Sequence, residues 1–184
     1  AVGDVGPASH ADYAGPAVTC GIVHLGIGGF HRAHQAVYTD ELLASGDLAW
    51  GITGVSLRGS AVRDTLTAQD FLYSVKTLGP DAPQPRIIGS VIASLAIRER
   101  EQLNQALGLL AHPATQVVTL TVTEKGYCAN HAGDLDDKNP DVSHDLAHPH
   151  SPLSVPGLLA AGLEQRMVNN SGPLTILSCD NLSN

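Results

Sequence analysis

Gly26, Gly28 and Gly29, set in Leu25-Gly26-Ile27-Gly28-Gly29-Phe30-His31-Arg32, are the residues whose type and spacing most directly imply chemistry. The apolar run Ile22 to Ile27 ends in them, and a helix-compatible segment from Ala33 to Ser45 follows at once. Strand, glycine turn and helix start, in that order, suit the pyrophosphate of a dinucleotide. Glycine lets the backbone approach the phosphates, and the first N–H groups of the helix point at them. Gly26 and Gly28 fit the first two positions of G-x-G-x-x-G, whereas His31 stands at the third, where glycine would allow close packing of helix on strand. A plain tight turn after a buried strand is the competing interpretation. A second constellation is Cys128, His131, His144, His148 and His150, a Cys-x-x-His followed by His-x-x-x-His. The spacing is tolerable for zinc, but an acidic, proline-containing loop lies between the two halves, and no metal is expected.

These residues must be held by elements, and the alternation of elements is legible. Ile22–Ile27 reads as a strand buried on both faces, Trp50–Leu57 as a second, and Ala61–Ala68 as a short helix. Phe71–Thr77 and Arg86–Ile92 are rich in β-formers and flank a turn with Gly79, Pro80, Pro83 and Pro85, which predicts an inserted hairpin. Leu103, Leu107 and Leu110 recur at helical spacing within Ile97–Leu110, and Gln116–Thr123 is the clearest strand. Ala129–Pro156 reads as a polar surface excursion. Ser154 then caps a helix with Pro156 in its first turn and Leu158, Leu159, Leu163 and Met167 on one face, ended by Gly172 and Pro173. Leu174–Leu177 is expected to be a further buried strand. Residues 1–20 read as a loose arm, and 21–184 as one domain. The fold class expected is α/β, a Rossmann-like, doubly wound, mainly parallel sheet with helices on both faces and an inserted β-hairpin.

Composition narrows the partners. A net charge of −8 and a pI near 5.4 argue against a nucleic-acid or anionic-membrane surface, which needs clustered Lys and Arg. A phosphate-bearing cofactor needs only local donors. No apolar run approaches the roughly 18 residues of a membrane span, and no basic-then-apolar export signal opens the sequence. The three widely spaced cysteines, Cys20, Cys128 and Cys179, read as reduced thiols of a cytoplasmic protein.

Three blocks together resemble the long-chain mannitol dehydrogenase family, which includes mannitol 2-dehydrogenases and fructuronate (mannonate) oxidoreductases. They are Gly26-Ile27-Gly28-Gly29-Phe30-His31-Arg32-Ala33-His34-Gln35 running into Tyr38-Thr39-Asp40, Thr121-Val122-Thr123-Glu124-Lys125-Gly126-Tyr127, and Ser178-Cys179-Asp180-Asn181-Leu182. Leu57-Arg58 and Gln69-Asp70 before Leu72-Tyr73 fit as well. The resemblance implies an NAD-dependent oxidoreductase that moves hydride between nicotinamide and a secondary alcohol of a linear polyol or sugar acid, such as mannitol/fructose or mannonate/fructuronate. It also implies a helical C-terminal domain carrying the catalytic lysine. That motif is not in this sequence, so the chain is expected to be the cofactor-binding part and inactive alone.

By the same resemblance, Gly26, Gly28, Gly29, Phe30 and Arg32 would line the pyrophosphate, and Thr123, with Thr121, would reach the cofactor ribose. Asn181 would aim its amide at the oxygen that gains alkoxide character, and Glu124 would relay a proton or orient the lysine. At the end of the second strand Arg58-Gly59-Ser60 stands where an NAD site usually has an acid. Arg58 with Ser60 keeps NADP open, although the family leans to NAD, which is the cofactor expected. His31 and His34 are expected to make packing or polar contacts. A non-catalytic nucleotide-binding module, and then a zinc-binding protein, are the alternative functions.

Overall fold

The computed structural model describes residues 17–79 and 85–181. Residues 1–16 of the expected arm, Pro80 and Pro83 of the expected turn, and Leu182 lie outside them. In chain order the strands are β1 (Cys20–Leu25), β2 (Gly51–Ser56), β3 (Tyr73–Val75), β4 (Arg86–Ile88), β5 (Val91–Ala96), β6 (Val117–Leu120) and β7 (Thr175–Ser178). The helices are α1 (Gly29–Ala33), α2 (Gln35–Ala44), α3 (Ala61–Thr67), α4 (Arg100–Ala111), α5 (Pro140–Ala147) and α6 (Val155–Val168). Cys20 thus opens the first strand and does not belong to an arm.

The main sheet has the order β5-β2-β1-β6-β7 with every pair parallel, and β3 and β4 form a separate antiparallel hairpin. The chain therefore winds outward from β1 to β5, crosses back, and winds outward again through β6 and β7. This reversal leaves a crevice at the carboxyl ends of β1 and β6, where doubly wound sheets bind ligands. Strand periodicity sends alternate side chains to two cores. Val23 and Leu25 of β1 join Val55, Leu95, Val118 and Leu120 under α4 and α6, while Ile22 joins Ile52, Val91, Ala36, Leu66 and Ile88 under α2, α3 and the hairpin.

Several expected boundaries shift, each for a local reason. The segment Arg86–Ile92 is not one hairpin arm. Gly89 N donates to Asp40 Oδ1 and Ser90 Oγ to the Ala36 carbonyl, which turns the chain between β4 and β5. The helix expected from Ile97 starts at Arg100. The helix expected over Ala33–Ser45 begins at Gly29 and breaks at His34 (φ −125°, ψ −90°) into α1 and α2. The excursion Ala129–Pro156 contains α5, whose Asn139 cap accepts from Asp141 N and Val142 N, with Pro140 in the first turn. The buried stripe of α6 is Val155, Leu158, Ala161, Gly162 and Arg166, and Met167 is exposed. Finally, β7 is exposed along its whole length instead of buried. It forms the sheet edge, and the described residues supply no strand beyond it.

One side chain ties α4, α6 and β7 together. The buried Arg166 guanidinium donates to the carbonyls of Leu110 and His112 at the end of α4, and to those of Ser171, Gly172 and Pro173 leading into β7. No carboxylate pairs with it among the described residues. Carbonyls at the end of α4, where the helix carries partial negative charge, and in the loop after α6 solvate it instead.

Candidate functional site

The glycine turn is built by mutual bracing of β1, β2 and β6. Gly26 N donates to the Val55 carbonyl, and Thr121 Oγ1 donates to the Gly26 carbonyl at 2.8 Å. Gly26 has φ +94°, and a Cβ there would lie 2.2 Å from the Thr121 carbonyl oxygen, so no side chain fits. Ile27 then drops into the core over Gly54 of β2, where a Cβ would lie 2.2 Å from Ile27 Cδ1. Gly28 precedes α1 and offers no side-chain cap, which leaves the first N–H groups of that helix open. Phe30 is mostly exposed, its ring stacked on His34 at 5.1 Å. Arg32 folds back so that Nη1 donates to the Ile27 carbonyl inside the turn, while its own carbonyl accepts from Tyr73 Oη.

His31, where the dinucleotide motif has its third glycine, fills the space between α1 and β1. Its ring stacks on His24 with centroids 3.4 Å apart and planes 14° from parallel. His24 Nδ1 lies 2.7 Å from Thr119 Oγ1 and Nε2 lies 2.9 Å from Thr121 Oγ1. Because the Thr121 hydroxyl hydrogen goes to the Gly26 carbonyl, Nε2–H of a neutral His24 donates to Thr121 Oγ1. Burial holds both imidazoles neutral, with His24 pushed down to about 4 and His31, which also faces His24, to about 2. His34, by contrast, is exposed.

The carboxyl ends of β6 and β7 make the second part of the crevice. A 3-10 turn over Glu124–Tyr127 follows β6, and Thr123 before it has φ +66° and ψ +164°, a backbone region that side chains rarely occupy. Asp180, just past β7, accepts from Val122 N (2.9 Å), Thr123 N (3.0 Å) and Tyr127 Oη (2.8 Å). Tyr127 Oη also lies 2.6 Å from Ser178 Oγ. Burial and the Asp180 carboxylate push the Tyr127 phenol up, against the Ser178 hydrogen bond, so it remains a donor at neutral pH. Thr123, Glu124, Lys125, Asp180 and Asn181 line an open cleft of about 430 Å³. The structure thus brings together Thr123, Glu124 and Asn181.

Arg58 lies elsewhere on the same sheet edge. It lines a cavity of about 330 Å³ with Arg98, Lys125, Cys128, Asp136 and Asp141, between the ends of β2 and β6 and the start of α6. Ser60 is not among the lining residues, since its Oγ donates to Asp64, which also pairs with Arg63. The Ser60 hydroxyl, which with Arg58 kept a 2′-phosphate open, is thus engaged by Asp64. The histidines and Cys128 of the zinc alternative do not converge either. His144 and His148 stack on each other, and no group of three or more metal-binding side chains exists among the described residues. Gly54, the His24–His31 stack and Asp180 were missed by inspection of the sequence. Only Gly54, an isolated glycine inside a strand, carried a signal of close approach.

A parallel, doubly wound sheet with a side-chain-free turn at its reversal point defines the class as a Rossmann-type nucleotide-binding domain. The family is narrower: residues 20–184 match the mannitol dehydrogenase Rossmann domain, and the chain belongs to that family. The D-mannonate oxidoreductase of Escherichia coli (strain K12) is 44% identical over 165 residues, covering 88% of this chain and 34% of that protein. The mannitol 2-dehydrogenase of Cereibacter sphaeroides is 41% identical over 174 residues, covering 92% and 36%. The solved ternary complex of Pseudomonas fluorescens mannitol 2-dehydrogenase with NAD and D-mannitol superposes with a TM-score of 0.83 at 43% identity, over 90% of this chain and 34% of that one. The chain thus spans about a third of the length of the curated relatives it matches.

Proposed function

We propose that residues 21–184 are the NAD-binding domain of an oxidoreductase that moves hydride between nicotinamide and a secondary alcohol of a linear polyol or sugar acid. Mannitol/fructose and mannonate/fructuronate are the leading pairs. The observation that carries this reading is the Gly26 turn, where neighbouring backbone excludes any Cβ at the mouth of the β1–β6 crevice. The residues there fit a dinucleotide. Backbone at Gly26, Gly28, Gly29 and Phe30 would hold the pyrophosphate, with the Arg32 guanidinium adding positive charge beside the turn. Arg58 would stand at the adenosine end, and Thr123 would approach the ribose on the nicotinamide side.

When bound, nicotinamide supplies the hydride acceptor. This chain's own residues would manage charge around the reacting oxygen. The Asn181 side-chain amide would donate to that oxygen as it becomes alkoxide-like, an interaction whose loss typically costs about 2.7–4 kcal/mol of barrier. Glu124 would hold the proton path or orient a lysine supplied by a helical C-terminal domain, the partner this domain requires. The three free cysteines suit a reducing compartment, and no described helix is long and apolar enough to cross a membrane. The cytoplasm is the proposed location.

The test is a panel of polyols and aldonates with NAD and with NADP on the protein at the length of its relatives, read by absorbance of the reduced cofactor. Turnover of mannitol or mannonate with NAD is expected. Tight dinucleotide binding without turnover of any polyol or sugar acid would replace this assignment with a non-catalytic nucleotide-binding module.

A further inference from the structure

We infer that Asp180 is a positioning residue, which locks the β6 loop against the β7 loop so that Glu124 and Asn181 face one cleft. The inference rests on the proposed hydride-transfer reading, and it concerns a residue that would touch neither substrate nor nicotinamide. Asp180 sits between the two groups it serves. It is covalently next to Asn181, and its carboxylate reaches across to two consecutive backbone N–H groups, Val122 on Oδ2 and Thr123 on Oδ1. Glu124 is the next residue along. The carboxylate therefore spans the gap between the ends of adjacent parallel strands, β6 and β7, whose carbonyl and N–H ladder stops at Cys179 N on the Leu120 carbonyl. Beyond that last rung, among the described residues, side-chain hydrogen bonds link the two loops.

Two further features show why an acid is needed at this point. Thr123 is a β-branched residue in a sparsely populated backbone conformation that persists only when its surroundings hold it. The bond from Thr123 N to Asp180 is a charge-assisted restraint on that residue. The second Asp180 oxygen also accepts from Tyr127 Oη, at the far end of the 3-10 turn that carries Glu124. Ser178 Oγ then donates to the Tyr127 oxygen, which closes a path from β7 through the turn and back to Asp180. Three donors, Val122 N, Thr123 N and Tyr127 Oη, point at one carboxylate that has two oxygens to offer. An amide in its place has one acceptor and would set an NH₂ group against a backbone N–H. Asp180→Asn is therefore a real lesion, although it conserves volume.

The experiment uses the protein at the length of its relatives and compares Asp180→Ala, Asp180→Asn and Tyr127→Phe with the unmodified chain. Three quantities are read: dinucleotide affinity by calorimetry, kcat and KM with the deuterium isotope effect on kcat, and amide hydrogen exchange of peptides covering 117–128 and 20–33. Expected for Asp180→Ala is a fall in kcat of about tenfold or more with a larger isotope effect, while NAD affinity stays within about threefold. Exchange should rise by about tenfold or more over 121–127 and stay unchanged over 20–33. Asp180→Asn should follow Asp180→Ala, and Tyr127→Phe should lie between them and the unmodified chain. Unchanged exchange over 121–127, or losses of kcat, NAD affinity and exchange protection that all run in parallel as in general unfolding, would overturn the inference. If the unmodified chain turns over no polyol or sugar acid, the functional proposal fails, and the exchange readout still decides whether Asp180 clamps the two loops.

Discussion

Gly26 and the His24–His31 pair decide most of what the glycine turn does, and each makes a direct prediction. At Gly26 the positive φ and the Thr121 carbonyl together exclude a side chain, whereas a Cβ at Gly29 would meet nothing within 4 Å. Gly26→Ala should therefore cost about 1–3 kcal/mol and abolish measurable dinucleotide binding, while Gly29→Ala leaves stability within about 1 kcal/mol. Urea unfolding and calorimetric titration of the two variants make the comparison. For the histidines, the unfolded chain takes up protons near pH 6.5, while the folded chain keeps His24 neutral down to about 4 and His31 to about 2. Between pH 6.5 and about 4 the unfolded state binds more protons, so stability falls as the solution becomes acidic, by about 1.4 kcal/mol per pH unit for each histidine. Above pH 6.5 neither contributes. Urea midpoints across this range should drop steadily, and His31→Phe, which keeps a stacked ring without a titrating nitrogen, should flatten the slope by about half. A level profile in the unmodified chain would refute the assignment of these two rings as the acid-sensitive groups.

At the scale of elements, Arg166 is where helix ends and sheet edge meet. Its donors serve five carbonyls drawn from the end of α4 and the run into β7. Arg166→Met keeps the apolar stem but strands those acceptors, and should destabilise the domain by about 3 kcal/mol or more, measured by chemical denaturation. Arg166→Lys should recover part of the loss, because a lysine has fewer donors and no planar fork. The parallel sheet and the inserted hairpin form as expected, and two details at this scale differ for related reasons. Arg86–Ile92 reads as one β-rich run because the break at Gly89-Ser90 is imposed by Asp40 and the Ala36 carbonyl, both remote in sequence. The apolar Leu174–Leu177 run reads as buried, yet Ile176 and Leu177 are exposed because β7 lies at the edge of the sheet.

For the whole molecule, the strand order is the functional fact. By placing β6 beside β1, the fold sets the Gly26 turn next to the Thr123–Asn181 cleft across one crevice. A ligand that binds only the folded state must stabilise it. NAD at about 100 times its dissociation constant should add about 2.7 kcal/mol, a rise in melting temperature of about 5–10 °C. Thermal unfolding with and without NAD checks this, and Gly26→Ala should erase the shift. The absence of any shift at saturating NAD would count against a dinucleotide in this crevice.

The local grammar of the chain was enough to define much of this protein. The alternation of strand and helix, the glycine turn after Leu25 and the Ser154 cap all depend on neighbours in sequence, and so they were legible there. What only the tertiary structure decided is everything that needs two distant segments. The imidazole of His31 replaces a glycine because His24 lies beneath it, Ser60 turns away from Arg58 towards Asp64, and Asp180 grips the loop that carries Glu124. A sequence records which groups exist. Which carboxylate meets which N–H depends on strand order, and strand order is set by how the whole chain buries its two apolar faces.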